Sequence, residues 1–194
     1  MKTSSLTFLL LLCIGLLGWS ACGDDDDLVL DSLNYDGPNF TAPQNGPGVN
    51  TFAAFFPESE VQPFIGRELN RVSFWLERVP LATSVVVFAA SIDDRTPGAE
   101  LYRIDLTQRI RSTGWVEHNL TTPIELTGTG IWIAVETDVE LVGDQAIGCD
   151  EGLNYNPNGD RFLPSGSTVW TSFNEITSSE RINWNIRGFL APVE

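Results

Sequence analysis

Val72-Ser73-Phe74-Trp75-Leu76-Glu77 puts Val72, Phe74 and Leu76 on one side of an extended chain and Ser73, Trp75 and Glu77 on the other. Successive side chains of an extended backbone point to opposite faces, so this period of two predicts a half-buried β-strand. The pattern recurs along the chain. Leu101 to Leu106 gathers Tyr102, Ile104 and Leu106 on one face, and Ile131-Trp132-Ile133-Ala134-Val135-Glu136 does the same for Ile131, Ile133 and Val135. Ile182-Asn183-Trp184-Asn185-Ile186-Arg187 sets Ile182, Trp184 and Ile186 against Asn183, Asn185 and Arg187, which predicts a solvent face for the polar three. Ser84 to Ala90 (SVVVFAA) is unbroken and predicts a central strand covered on both sides.

Helical spacing is never sustained. Leu106 to Ile110 offers one turn at most. Turn signals separate the strands at Asp93 to Gly98, Thr127 to Gly130 and Asn156 to Asp160. Short strands with such punctuation predict an all-β sandwich or barrel, with residues 28–194 as one domain. Two long irregular loops stand out, Gly37 to Gly48 and Asp150 to Gly166. Binding usually resides in loops of this kind, because a rigid scaffold positions them.

Composition agrees with a packed domain. The 194 residues are 42% hydrophobic and 10% aromatic, enough to bury a core, while 26 acidic residues against 11 basic ones leave a net charge of −15. That balance argues against nucleic acid as a partner, since gripping a phosphate backbone needs clustered Lys and Arg.

The start of the chain reads as an address. Lys2 precedes the apolar run Phe8 to Leu17, which is too short to cross a bilayer comfortably, and Ser20 and Ala21 lead into Cys22. This arrangement resembles the bacterial lipobox. The resemblance implies a signal peptide at 1–21, cleavage before Cys22 and a lipid anchor on that residue. Asp24, Asp25, Asp26 and Asp27 follow directly, so residues 22–27 are also similar to the acidic export signal of Bacteroidota surface lipoproteins. That implies an outer-membrane location facing the cell exterior. Asp31-Ser32-Leu33 resembles the O-glycosylation pattern of the same bacteria and reads as part of an exposed stalk. Cys149 is then left alone, which predicts a small buried hydrophobe in place of a disulfide or a reactive thiol.

The ordered segments Asn34-Tyr35-Asp36-Gly37, Phe52 to Phe56, Leu69 to Leu76, Val85 to Phe88, Pro97 to Tyr102, Gly114 to Leu120, Ile131 to Ala134, Asp150-Glu151-Gly152 and Asn183 to Arg187 carry a second resemblance. Together they resemble the cleaved-adhesin (gingipain haemagglutinin-like) domain of Bacteroidota surface proteins. The resemblance implies a β jelly roll without catalytic activity, used for adhesion and often holding structural Ca²⁺.

Candidate residues follow from both readings. Ca²⁺ takes six to eight oxygen ligands, and Asp36, Asp150, Glu151 and Asp160 lie in or beside the two long loops, with Asn156 and Asn158 as amide partners. The same residue types also make ordinary turns by bonding their own backbone, so both roles stay open. Trp115, Trp132 and Trp170 are candidates for ligand contact through stacking on sugar rings, and equally candidates for the core. His118, the one histidine, shares a face with Val116 and Leu120 and is expected to be a satisfied core residue. No nucleophile elbow, phosphate loop or dinucleotide fingerprint occurs in the sequence. The expected function is a non-catalytic surface module binding an extracellular glycan or a surface protein. The alternatives are an accessory subunit of an outer-membrane complex and a carboxylate-dependent, glycan-active enzyme.

Overall fold

The period-two stretches pair into two facing sheets in the computed structural model, which describes residues 31–192. The proposed signal peptide, Cys22 and Asp24 to Asp27 lie outside the described residues. One sheet contains β1 (Ser32–Leu33), β12 (Ile186–Leu190), β4 (Glu68–Leu76) and β7 (Gly114–Glu125), in that spatial order. The other contains β11 (Thr171–Ser172), β10 (Arg161–Leu163), β3 (Gly48–Phe56), β8 (Ile131–Val139), β5 (Ala82–Ala90) and β6 (Pro97–Asp105). A small ribbon joins β2 (Gln44–Asn45) to β9 (Asp144–Gln145).

Taking β1, β3, β4, β5, β6, β7, β8 and β12 as the eight principal strands, one sheet reads first, eighth, third, sixth and the other second, seventh, fourth, fifth. All their pairings are antiparallel. This is a jelly-roll winding, which the cleaved-adhesin resemblance implies and which is one form of the sandwich that alternation predicts.

The faces sort as the alternation requires. Phe52, Ala54 and Phe56 of β3 meet Val72, Phe74 and Leu76 of β4, with Ile133, Val135, Val85, Val87 and Ile186 filling the space between the sheets. Val86 instead joins Ala53, Phe55, Trp132 and Ala134 in a second apolar layer on the outer side of the larger sheet. Val85, Val86 and Val87 are all fully buried, so the unbroken run is covered on both faces. Burying a Val, Ile or Phe side chain contributes about 1.5–3 kcal/mol, which makes these two layers the main source of stability.

Three expectations need correction. Asn183 and Asn185 are fully buried, because the regular strand begins only at Ile186 and the preceding residues run beneath the long loops. Asp31-Ser32-Leu33 is no stalk: Ser32 and Leu33 pair with Phe189 and Gly188 in the sheet, and Asp31 forms an ion pair with Arg67. A short helix (Phe173–Thr177) interrupts the loop-rich stretch; Ser172 accepts from the Glu175 amide while the Glu175 carboxylate accepts from the Ser172 amide.

Strand direction places the loops. Gly48 at the start of β3 pairs with Val139 at the end of β8, and Ala82 at the start of β5 with Asp138. Leu76 at the end of β4 pairs with Gly114 at the start of β7. The connections β1–β3, β4–β5, β6–β7 and β8–β12 therefore share one end of the sandwich. Both long loops belong to it.

Candidate functional site

The two long loops are tied together at that end. Cys149 donates its amide to Thr41 at 2.7 Å and accepts from the Phe40 amide at 2.8 Å, joining the β1–β3 connection to the β8–β12 connection. Asp150 completes the junction. Its Oδ1 accepts from the amides of Gly152 (2.9 Å) and Asn183 (2.7 Å), and its Oδ2 from the Gly37 amide (3.1 Å) and Asn183 Nδ2 (2.9 Å). Gly152 makes the tight turn possible, since its φ is +68° and a Cβ there would run into the Arg181 carbonyl. Asp36 is held on the same side: Asn185 Nδ2 donates to it at 2.7 Å and Arg187 pairs with it at 2.8 Å.

The candidate calcium ligands Asp36, Asp150, Glu151 and Asp160 are not brought together in one cluster. Among the described residues, no group of three or more His, Cys, Asp or Glu side chains is placed to hold a metal ion. The oxygens of Asp150 are turned toward N–H donors, and those of Asp36 toward Asn185 and the Arg187 guanidinium. Glu151 is exposed to solvent. Asp160 sits apart and buried, with Oδ2 accepting from the Asn174 amide (2.9 Å) and Tyr155 Oη (3.3 Å), and with Oδ1 unpartnered. Burial raises its pKa from 3.8 to about 6 against those hydrogen bonds and the nearby Arg161 charge.

The tryptophans divide three ways. Trp132 is fully buried, stacked on Phe55 at 4.8 Å, so it is a packing residue and not a surface contact. Trp170 is half-buried and meets Trp132 edge to face at 5.3 Å, roofing the outer apolar layer. Among the described residues, Trp115 is the exposed tryptophan, at 39%. The Arg187 guanidinium lies 4.2 Å over its ring and Trp75 meets it edge to face at 5.8 Å, so the indole is held rigidly.

His118 and Cys149 match their expected roles. Tyr102 Oη lies 2.7 Å from His118 Nε2, and burial, with Arg109 nearby, pushes the imidazole pKa down. Burial, reinforced by Asp150 and Glu180, pushes the Cys149 thiol up to about 12, which leaves it an unreactive hydrophobe.

Between the joined loops opens a cleft of about 440 Å³ lined by Tyr35, Pro38, Asn39, Phe40, Leu153 and Asn154, with the buried Asp36 and Asp150 and the exposed Glu151 also in its walls. Phe40 is 63% exposed and Leu153 84% exposed. Sequence reasoning missed both, as well as Asn183 and Asn185. Asparagine is a poor strand former, so two of them alternating in an apolar strand was the available signal.

No family model matches the chain, and no curated protein matches it. One solved structure is similar: the cysteine protease and lectin-like domains of Cwp84, a surface layer associated protein of Clostridium difficile. The TM-score is 0.51 at 14% identity, over 75% of this chain and 33% of that one. The chain thus spans about a third of the length of that neighbour. The likeness concerns the all-β fold.

Proposed function

We propose that this chain is a non-catalytic binding module of the cell surface, whose cleft between Phe40 and Leu153 takes an extracellular saccharide. The observation that carries the reading is how the loop end is built. Every buried oxygen of Asp36 and Asp150 is spent on fixing the loops, while the apolar side chains above them stay exposed. Such an arrangement pre-organises a recessed surface with Asn39, Asn154 and Glu151 as polar groups at its rim. The surface setting is supported by the similar fold in a surface layer associated protein with lectin-like domains. The lipid anchor at Cys22, the export run Asp24 to Asp27 and the outer-membrane address rest on the sequence, and the wider kinship with cleaved-adhesin domains rests on the order of its motifs.

Glycan-array screening followed by titration calorimetry tests this. Phe40→Ser and Leu153→Ser should each weaken binding at least tenfold with little change in melting temperature. Unchanged affinity in both variants would move the ligand elsewhere. A second reading, an accessory subunit of an outer-membrane complex, is favoured by Val79, Leu81, Leu141 and Val142, which expose apolar surface on adjoining connections of the same end. Co-purification of one defined partner, lost on Leu81→Glu/Val142→Glu, would select it.

A further inference from the structure

The β6–β7 connection, at the same end of the sandwich, shapes another cleft with a different chemistry. Its volume is about 420 Å³, and its walls include Arg109, Arg111, Ser112, Trp115, Glu117 and Asn119. In a chain of 26 acidic and 11 basic residues, cations are the scarce charge, and five of the ten described arginines have a carboxylate partner. Arg67, Arg71, Arg78, Arg103 and Arg187 are ion-paired with Asp31, Glu117, Asp144, Glu100 and Glu136, and Asp36 respectively. Among the described residues, Arg95, Arg109, Arg111, Arg161 and Arg181 have no carboxylate within ion-pairing distance; Arg109 and Arg111 stand together in the walls of this cleft, both exposed.

The details favour a ligand over chance. Arg111 donates to the carbonyls of Ile110 (3.1 Å) and Thr107 (3.4 Å), which holds its guanidinium in place. The one carboxylate in the walls, Glu117, is drawn toward Arg71 at 3.0 Å. Trp115 adds an exposed indole that Arg187 and Trp75 keep from turning. A fixed aromatic edge beside two guanidiniums matches a pyranose that carries an anionic group: the ring packs on the indole and the anion takes charge-assisted hydrogen bonds.

We propose that this cleft binds an acidic saccharide, one bearing a carboxylate or a sulfate ester. The inference shares the reading of a binding module but uses other residues, so it stands or falls separately from Phe40 and Leu153. The two anion sources have separate arms: an oligogalacturonate for the carboxylate, a chondroitin sulfate oligomer for the sulfate, and a neutral cello-oligosaccharide as reference. Calorimetry on the folded chain should find one acidic oligomer bound at least tenfold more tightly than the neutral one. Arg109→Gln/Arg111→Gln should remove that preference without altering the melt, and raising salt from 50 to 300 mM should weaken the acidic oligomer several-fold. Trp115→Ala should weaken binding while leaving the salt dependence in place. If the double variant keeps full affinity for the acidic oligomer, or the neutral one binds equally well, the cationic site is overturned and the loop cleft is untouched. If no oligomer binds in any arm, the cationic site is overturned, while the loop cleft is decided by the glycan array and the Phe40→Ser and Leu153→Ser variants.

Discussion

Asp150 and Asp160 are buried carboxylates on the same connection, but their surroundings are opposite. Asp150 receives four N–H donors across its two oxygens, from three segments of the chain. Asp160 receives two donors on one oxygen, while the other faces none, and its pKa rises to about 6. Burial is common to both, so burial alone does not decide what a carboxylate contributes. Compensation by donors decides: a saturated acid fastens loops together, and a half-satisfied one carries an electrostatic cost.

The largest effect that would break this contrast is Asp150→Ala. It strands the amides of Gly37, Gly152 and Asn183, and each buried donor without a partner costs about 1–3 kcal/mol. A loss of about 3 kcal/mol or more is expected, with a fall in Tm of about 8 °C or more by thermal denaturation. A melt within a degree of the parent would mean the loops are fastened by something else.

Asp160→Asn should act in the other direction. An acid whose folded pKa exceeds its unfolded value binds its proton more readily when folded, so stability falls as pH rises from about 4 to about 6 and the cost persists above that. Removing the charge should therefore stabilise the protein by about 2 kcal/mol at pH 8, with the gain shrinking toward nothing near pH 4. Urea titrations at the two pH values measure it. A pH-independent difference would show that the hydrogen bonds, and not the charge, set the environment of Asp160.

Smaller effects sharpen the contrast. Trp170→Ala uncovers Trp132 and should cost about 1 kcal/mol, whereas Trp115→Ala should cost less, because Trp115 packs on one side only. Equal losses would remove the distinction between roof and platform. At the low end, a chelator should leave Tm unchanged on protein exposed to calcium, since the acids of the loop end are bonded to N–H donors. A fall of several degrees would restore the calcium expectation for Asp36 and Asp150.

Much of the fold was legible from alternation. Val72 to Glu77, Leu101 to Leu106 and Ile131 to Glu136 all fall in or beside the expected strands, because a period of two is a local property of the backbone. Trp132 shows where that reasoning stops. Alternation correctly turned it away from Ile131 and Ile133, but whether the far face of a sheet is wet depends on what folds over it, here Phe55, Arg161 and Trp170. Asn183 and Asn185 failed for the same reason, their expected solvent face being occupied by Asp150 and Asp36. The candidate site was half legible: both long loops were identified, while the roles of their acids and the exposed Phe40 and Leu153 were not.

The chain's own residues determined the β class, the inward faces of most strands and the excess of negative charge. Each follows from side-chain type and spacing within a few residues. Tertiary structure alone decided which carboxylates are spent on N–H donors, which tryptophan remains in water and where two unpaired arginines meet an indole. Those outcomes depend on contacts between segments far apart in the chain, and burial and hydrogen-bond partnership are settled only when such segments meet.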